Sequence, residues 1–301
     1  MMASSGRLVG LSGAVLALCW FCSGSSADGL NWALHPDPVM GPPDAVIGGL
    51  SVLKDGSTFR TWHDHGGPGQ ERIMHNTSGD GVTWGASAEV YQPSGTNDAT
   101  PKVRMRNGMF HMWVGSVSGS GVNYATSADG LSWQSVGNVP LLGSAYTVLA
   151  DPSGFEAWYG GTGIGYRYAT SSDGLNWQDE GLAMPLGEFP YEQASAYLDV
   201  VKADGFYHMW YSAHSGSGPN RLAYARSRDG RSWQKLGLVN GLDAVSDIST
   251  PSVIADGDLF KIWFLRDGGG NNAFYATAEI PEPATLPILA ALTLVGRRRR
   301  H

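Results

Sequence analysis

The chain carries 27 aspartates and glutamates, and carboxylates held near one another can divide acid and base work between a protonated and an ionised partner. Most of the aspartates are claimed by local structure. Asp55, Asp204 and Asp256 stand before glycine in short turns, and Asp151 occupies the variant Asp151-Pro152. Asp28, Asp80, Asp129, Asp173 and Asp229 each open an Asp-Gly-x-x-Trp string. Asp bonds its own local backbone and Gly accepts positive φ, so both strings are turn chemistry. Setting these nine aside leaves Asp98, Asp199 and Asp247 as the foremost catalytic candidates, with Asp44 and Glu192 in reserve. All five lie where the chain runs into a strand of the repeat described below. Asp98 precedes Thr100-Pro101 and Asp247 precedes Thr250-Pro251, so those two share a context.

Other reactive residues have simpler explanations. Glu156 shares its repeat position with Arg60, His111, His208 and Lys261, which places it in a polar stripe between repeats. In His63-Asp64-His65 two imidazoles fall on one face of an extended segment, as in the beginning of a metal site. No third ligand has a matching spacing, and no metal is assigned. No glycine-rich loop follows a strand and opens a helix, so no nucleotide cofactor is expected. A net charge of −7 and a pI near 5.5 exclude a nucleic-acid-binding body.

The elements that must position these residues repeat along the chain. An aromatic strand recurs as Phe59-Arg60-Thr61-Trp62, Phe110-His111-Met112-Trp113, Phe155-Glu156-Ala157-Trp158, Tyr207-His208-Met209-Trp210 and Phe260-Lys261-Ile262-Trp263. Its alternation of apolar and polar residues is the period-2 pattern of a strand. A unit of about 50 residues, each burying a face on its neighbour, is a repeat architecture. Each unit adds a Tyr-Ala-Thr type strand, such as Tyr124-Ala125-Thr126, and then the Asp-Gly-x-x-Trp turn. Glycine, at 42 of 301 residues, is about twice its usual ~7%, in keeping with an all-β, turn-rich chain.

The fifth unit stops after Tyr275-Ala276-Thr277, with no Asp-Gly-x-x-Trp behind it. The missing piece stands at the other end, as Asp28-Gly29-Leu30-Asn31-Trp32. A ring closed by its own N-terminal strand explains both facts and removes exposed sheet edges. The expectation is a five-bladed β-propeller over residues 28–279, with four-stranded blades and an N-terminal strand completing the last.

The two ends read as addresses. Residues 1–27 have a basic start at Arg7, an apolar run from Leu8 to Cys22, and small residues at Ser25-Ser26-Ala27, the pattern of an export signal. Its removal takes away Cys19 and Cys22, the two cysteines of the sequence. Residues 280–301 combine Pro281-Glu282-Pro283-Ala284-Thr285, a short apolar run and Arg297-Arg298-Arg299-Arg300. This tail resembles the PEP-CTERM sorting signal, which implies processing by an exosortase-type enzyme, a transient stay in the membrane, and a bacterial cell-surface or matrix location.

The body, in strings such as Met209-Trp210-Tyr211-Ser212 and Tyr124-Ala125-Thr126-Ser127 with Asp129-Gly130, resembles the five-bladed superfamily of arabinanases, β-xylosidases, levansucrases and invertases. That resemblance implies three carboxylates at a central funnel: a base or nucleophile, a general acid, and a third that tunes the acid. The sequence departs from this pattern in blade 3, where Leu142-Gly143-Ser144-Ala145-Tyr146-Thr147 brings no carboxylate. Two readings follow. The chain is an exported propeller that binds or processes polysaccharide or oligosaccharide at its funnel, or it is a non-catalytic scaffold or adhesion protein of the extracellular matrix.

Overall fold

A computed structural model describes residues 30–41, 49–66, 71–93, 99–116, 121–143, 145–161, 165–194, 197–215, 219–242, 247–266 and 272–281. The described residues are strands and turns, with no helix among them. A short strand β1 (Ala33–Leu34) comes first. Blade 1 follows as β2 (Leu50–Asp55), β3 (Thr58–His65), β4 (Arg72–Ser78) and β5 (Ala88–Tyr91). Blade 2 is β6 (Ala99–Arg106), β7 (Met109–Ser116), β8 (Val122–Ser127) and β9 (Gln134–Val139). Blade 3 is β10 (Tyr146–Asp151), β11 (Gly154–Gly161), β12 (Gly165–Ser171) and β13 (Gln178–Pro185), and blade 4 is β14 (Leu198–Ala203), β15 (Phe206–Ala213), β16 (Arg221–Ser227) and β17 (Trp233–Leu238). Blade 5 contains β18 (Ile248–Asp256), β19 (Leu259–Arg266) and β20 (Ala273–Glu279).

Each sheet is an antiparallel meander of four strands, and β1 supplies the fourth strand of blade 5. Ala33 pairs with Thr277 and Leu34 with Ala276, so the chain's beginning closes the ring where the missing turn requires it. The first strand of every blade packs against the first strands of both neighbours. The five first strands therefore surround the axis of a five-bladed β-propeller.

The repeat residues make the contacts between blades. In each, the strand Trp meets the turn Trp of the next blade with ring centroids about 6 Å apart: Trp62 with Trp133, Trp113 with Trp177, Trp158 with Trp233, Trp210 with Trp32, and Trp263 with Trp84. Trp32 thus does for blade 5 what the turn Trp does in the other four. Four strand indoles donate Nε1–H to the glycine carbonyl of the neighbouring turn: Trp62 to Gly130, Trp113 to Gly174, Trp158 to Gly230 and Trp263 to Gly81. Trp210 has no such acceptor among the described residues; its repeat equivalent, Gly29, lies outside them.

The turn chemistry explains why Asp-Gly is required. In Ser127-Ala128-Asp129-Gly130, Ser127 Oγ accepts the amides of Asp129 and Gly130, and Asp129 Oδ1 accepts those of Leu131 and Ser132. Gly130 has φ +74°, and a Cβ there would lie 2.9 Å from the Trp62 ring, so both conformation and packing demand glycine. Backbone bonds and the Ser hydroxyl hold the carboxyls of Asp173 and Asp229 down at about 2. These groups are caps, as their repetition indicates.

Candidate functional site

The axis is closed by a ring of side chains that the register fixes. Opposite the strand Trp of each blade stands one residue of the first strand: Ser51, Lys102, Thr147, Asp199 and Ser252. All five are buried. Together with Arg104 of blade 2 they join every blade to the next. Val103 N–H donates to Ser51 Oγ, Arg104 Nε to Val148 O, Thr147 Oγ1 to Asp199 Oδ1, Val253 N–H to Asp199 Oδ2, and Val52 N–H to Ser252 Oγ. That circuit passes once around the propeller.

Asp199 is the anionic member. It is fully buried, accepts from Arg104 Nη2 at 2.8 Å, and lies 3.9 Å from Lys102 Nζ. Burial alone would raise its carboxyl, but Lys102 and Arg104, with Thr147 and the Val253 amide, bring it below the ordinary carboxylate range. Lys102 Nζ also donates to Pro251 O at 3.1 Å. Burial, offset by Asp199 and reinforced by Arg104, lowers Lys102 to about 8. Lys102 and Arg104 escape a search confined to acids. Their signal is the alternation Lys102-Val103-Arg104, basic residues on one face of an innermost strand.

Beside this ring, on the side where the first strands begin, lies a small enclosed space. A cavity of about 10 Å³ is lined by Gly49 and Leu50 of blade 1, Thr100–Lys102 of blade 2, Tyr146, Tyr197 and Leu198, and Thr250 of blade 5. Residues of all five blades meet there. Tyr146 fills the carboxylate-free inlet of blade 3, its hydroxyl 2.8 Å from both Thr100 O and Trp113 O, and burial drives that phenol above its ordinary range. Thr250 has φ +45° and Asp247 has φ +60°. A β-branched residue with positive φ ahead of a proline is strained backbone, a state that clusters at ligand sites. A register shift between Ser249 and Ser252 absorbs the distortion.

The sequence candidates separate accordingly. Asp199 reaches the axis but is enclosed within the circuit. Glu192 is also buried: Oε2 accepts the amides of Gly187, Glu188 and Phe189 and the Lys235 ammonium, and Oε1 accepts Tyr211 Oη–H. It fastens a loop to blade 4. Asp247 is half-buried at the inlet of blade 5, where Oδ1 accepts Asn220 N–H. Asp44 and Asp98 lie outside the described residues. Among the described residues, then, no two of these carboxylates are seen facing a common opening. Glu156 accepts Tyr168 Oη–H within blade 3 and ties that blade to blade 4 through Tyr207 and Lys202, as its repeat position implies. His63 and Asp64 are buried at the end of β3, and no group of three His, Cys, Asp or Glu side chains suited to a metal forms among the described residues. The opposite, turn-bearing end carries wider recesses, one of about 440 Å³ beside Asp151, Glu156 and Tyr168.

No known protein-family profile matches the chain. Two uncharacterized proteins of Mycobacterium tuberculosis, from strains CDC 1551 and H37Rv, are 34% identical over 89 residues, a match spanning 27% of this chain and about 30% of theirs. Solved structures align over most of the body. A thermostable family-43 glycoside hydrolase superimposes with TM-score 0.63 at 19% identity, covering 84% of this chain and 97% of that one. The catalytic domain of the Coprinopsis cinerea GH62 α-L-arabinofuranosidase gives 0.63 at 15%, over 83% and 97%. The Bacillus subtilis arabinanase Arb43A gives 0.60 at 12%, over 80% and 97%. At these identities the likeness is one of architecture: the chain has the five-bladed β-propeller fold found in glycoside hydrolases of families 43 and 62.

Proposed function

We propose that this protein is an exported, surface-sorted propeller that binds or processes a polysaccharide or oligosaccharide at the mouth of its axial funnel. The observation that carries the reading is the convergence of all five blades on one small floor beside the strained Thr250. Glycoside-hydrolase neighbours with the same fold support it. In this reading Asp98 and Asp247, with Asp44 in reserve, are the carboxylates that touch the saccharide. Asp199 and Glu192 hold the surrounding backbone from behind. Residues 1–27 direct export, and residues 280–301 pass transiently through the membrane before an exosortase-type enzyme processes them.

The test is a panel of aryl-glycosides and plant or microbial polysaccharides offered to the purified protein and to an Asp98→Asn/Asp247→Asn variant. Turnover or binding that the double substitution abolishes supports the reading. Blank assays together with ligand binding unchanged in the variant defeat the mouth carboxylates as the site. The second reading, a non-catalytic matrix scaffold or adhesion protein, is favoured by one specific observation: Asp199 and Glu192 are both saturated with internal hydrogen bonds. It predicts glycan-array or pull-down signals with every hydrolase assay blank.

A further inference from the structure

The chain enters and leaves the propeller on one side. β20 runs toward the turn-bearing end, where Glu279 pairs with Leu259 and Ile280 N–H donates to Asp258 O in the turn between β18 and β19. Ile280 also packs against the core shared by blades 4 and 5, so the chain is fixed to the body up to that point. β1 is antiparallel to β20, and Trp32 ahead of it takes the place of a turn Trp. The chain therefore enters at the same end. The apolar run Leu286 to Val295 lies beyond the described residues, joined to Pro281 by Glu282-Pro283-Ala284-Thr285. The five steps from Pro281 to Leu286 span at most about 18 Å when fully extended. A blade is taller: the eight residues of β19 rise about 26 Å. A tether that short, fixed at the turn-bearing end, cannot run back past a blade to the mouth, the end where the first strands begin.

An apolar run followed by Arg297-Arg298-Arg299-Arg300 suits a lipid bilayer, with the arginines kept outside the hydrocarbon. The turn-bearing end presents apolar tips to such a neighbour. Met105 and Met109 flank the turn between β6 and β7, and Leu131 stands in an Asp-Gly-x-x-Trp turn. These are three of the five exposed large apolar side chains among the described residues; Val136 and Leu182 lie on fourth strands. The turn aspartates share this end, so anionic lipid does not draw it down; the tether does. We propose that, while the tail is intact, the protein stands with its turn-bearing end against a lipid bilayer and its mouth directed away from it. This rests on the reading of residues 280–301 as a membrane segment. In this pose the mouth opens to the medium, and a saccharide polymer there reaches it without crossing the lipid.

The test uses the full chain with Cys19→Ser and Cys22→Ser, carrying one donor dye through Ala128→Cys at the turn-bearing end or Arg72→Cys at the mouth end, both exposed positions. Each protein is bound to vesicles of phosphatidylethanolamine and phosphatidylglycerol containing an acceptor-labelled lipid, and energy transfer reads the height of the dye above the bilayer. The dye at residue 128 should lie nearer the lipid than the dye at residue 72 by about the height of a blade. Equal heights, or a nearer dye at residue 72, overturn the orientation and leave the tail in the membrane. A full chain that does not float with the vesicles, or one whose flotation survives Leu289→Glu/Leu292→Glu, refutes the membrane reading of the tail and the orientation with it.

Discussion

Replacing Asp199 by asparagine separates a substrate-facing carboxylate from one that holds the axis. Asparagine keeps the shape and one acceptor oxygen, but it leaves Lys102 and Arg104 buried without their counter-charge. Asp199 accepts from Arg104, Thr147 and the Val253 amide at 2.5–2.8 Å, so the substitution breaks links from blade 4 to blades 2, 3 and 5 together. Removing one partner of a buried ion pair destabilises by about 3–5 kcal/mol. Because asparagine retains a partial set of hydrogen bonds, the lower end of that range is expected, still a large share of the roughly 5–15 kcal/mol that holds a typical domain. Urea unfolding followed by tryptophan fluorescence measures the difference directly. The pH dependence carries a second signature. The folded carboxyl lies below its unfolded value, so its stabilisation is complete above the unfolded pKa and is lost as pH falls through the folded one. Asp199→Asn should flatten that acid limb. A variant within ~0.5 kcal/mol of the parent that has nevertheless lost saccharide turnover would refute the enclosed axis and return Asp199 to the reacting groups.

Two further outcomes follow from the repeat itself. Opposite the strand Trp, four blades carry Tyr124, Tyr168, Tyr224 and Tyr275, whereas blade 1 carries His75. Burial, with Arg60 beside it, lowers His75 to about 4. The unfolded chain takes up this proton near 6.5 while the folded chain resists until about 4, so stability should fall as pH drops through that window. His75→Tyr should remove this part of the acid limb in melting curves taken from pH 7 to 4, and an unchanged slope would contradict the assignment. Ser127→Ala strips the Gly130 amide of its acceptor and should destabilise by about 1–3 kcal/mol in the same assay; a neutral result would show that the turn does not depend on the Ser hydroxyl.

The fold was largely legible because its devices are local and repeated. The Asp-Gly-x-x-Trp turn, the period-2 aromatic strand and the displaced copy ending at Trp32 each appear within a few residues. The shortness of β1 follows from Pro36 and Pro38, which lack the N–H that a longer ladder needs; pairing resumes at Val39 and Met40, bonded to Ala273. The axial site was legible only in part. Asp199 stood out as an acid outside the turns, but its partners Lys102 and Arg104 lie about a hundred residues earlier and come beside it only when blades 2 and 4 face the same axis. Burial then turns the expected role inward, because a fully buried carboxylate already holding two cations has little left to offer a substrate. Glu192 is similar: its hydrogen bonds to three consecutive amides depend on a loop conformation that no local pattern announces. Tyr146 at the inlet of blade 3 agrees with the missing acid there, and its packing against Gly115, where a Cβ would come 2.7 Å from the ring, explains why that inlet is filled.

Joining the first strand to the last is the most direct trial of the closed ring. Ala33 and Thr277 are facing residues of an antiparallel pair, at a separation that suits a disulfide. In the full chain with Cys19→Ser and Cys22→Ser, the pair Ala33→Cys and Thr277→Cys should oxidise within one molecule. Mass mapping should find the cross-link, and the oxidised protein should melt higher than its reduced form. Free thiols, or cross-links only between molecules, would mean that the beginning of the chain does not complete the fifth blade.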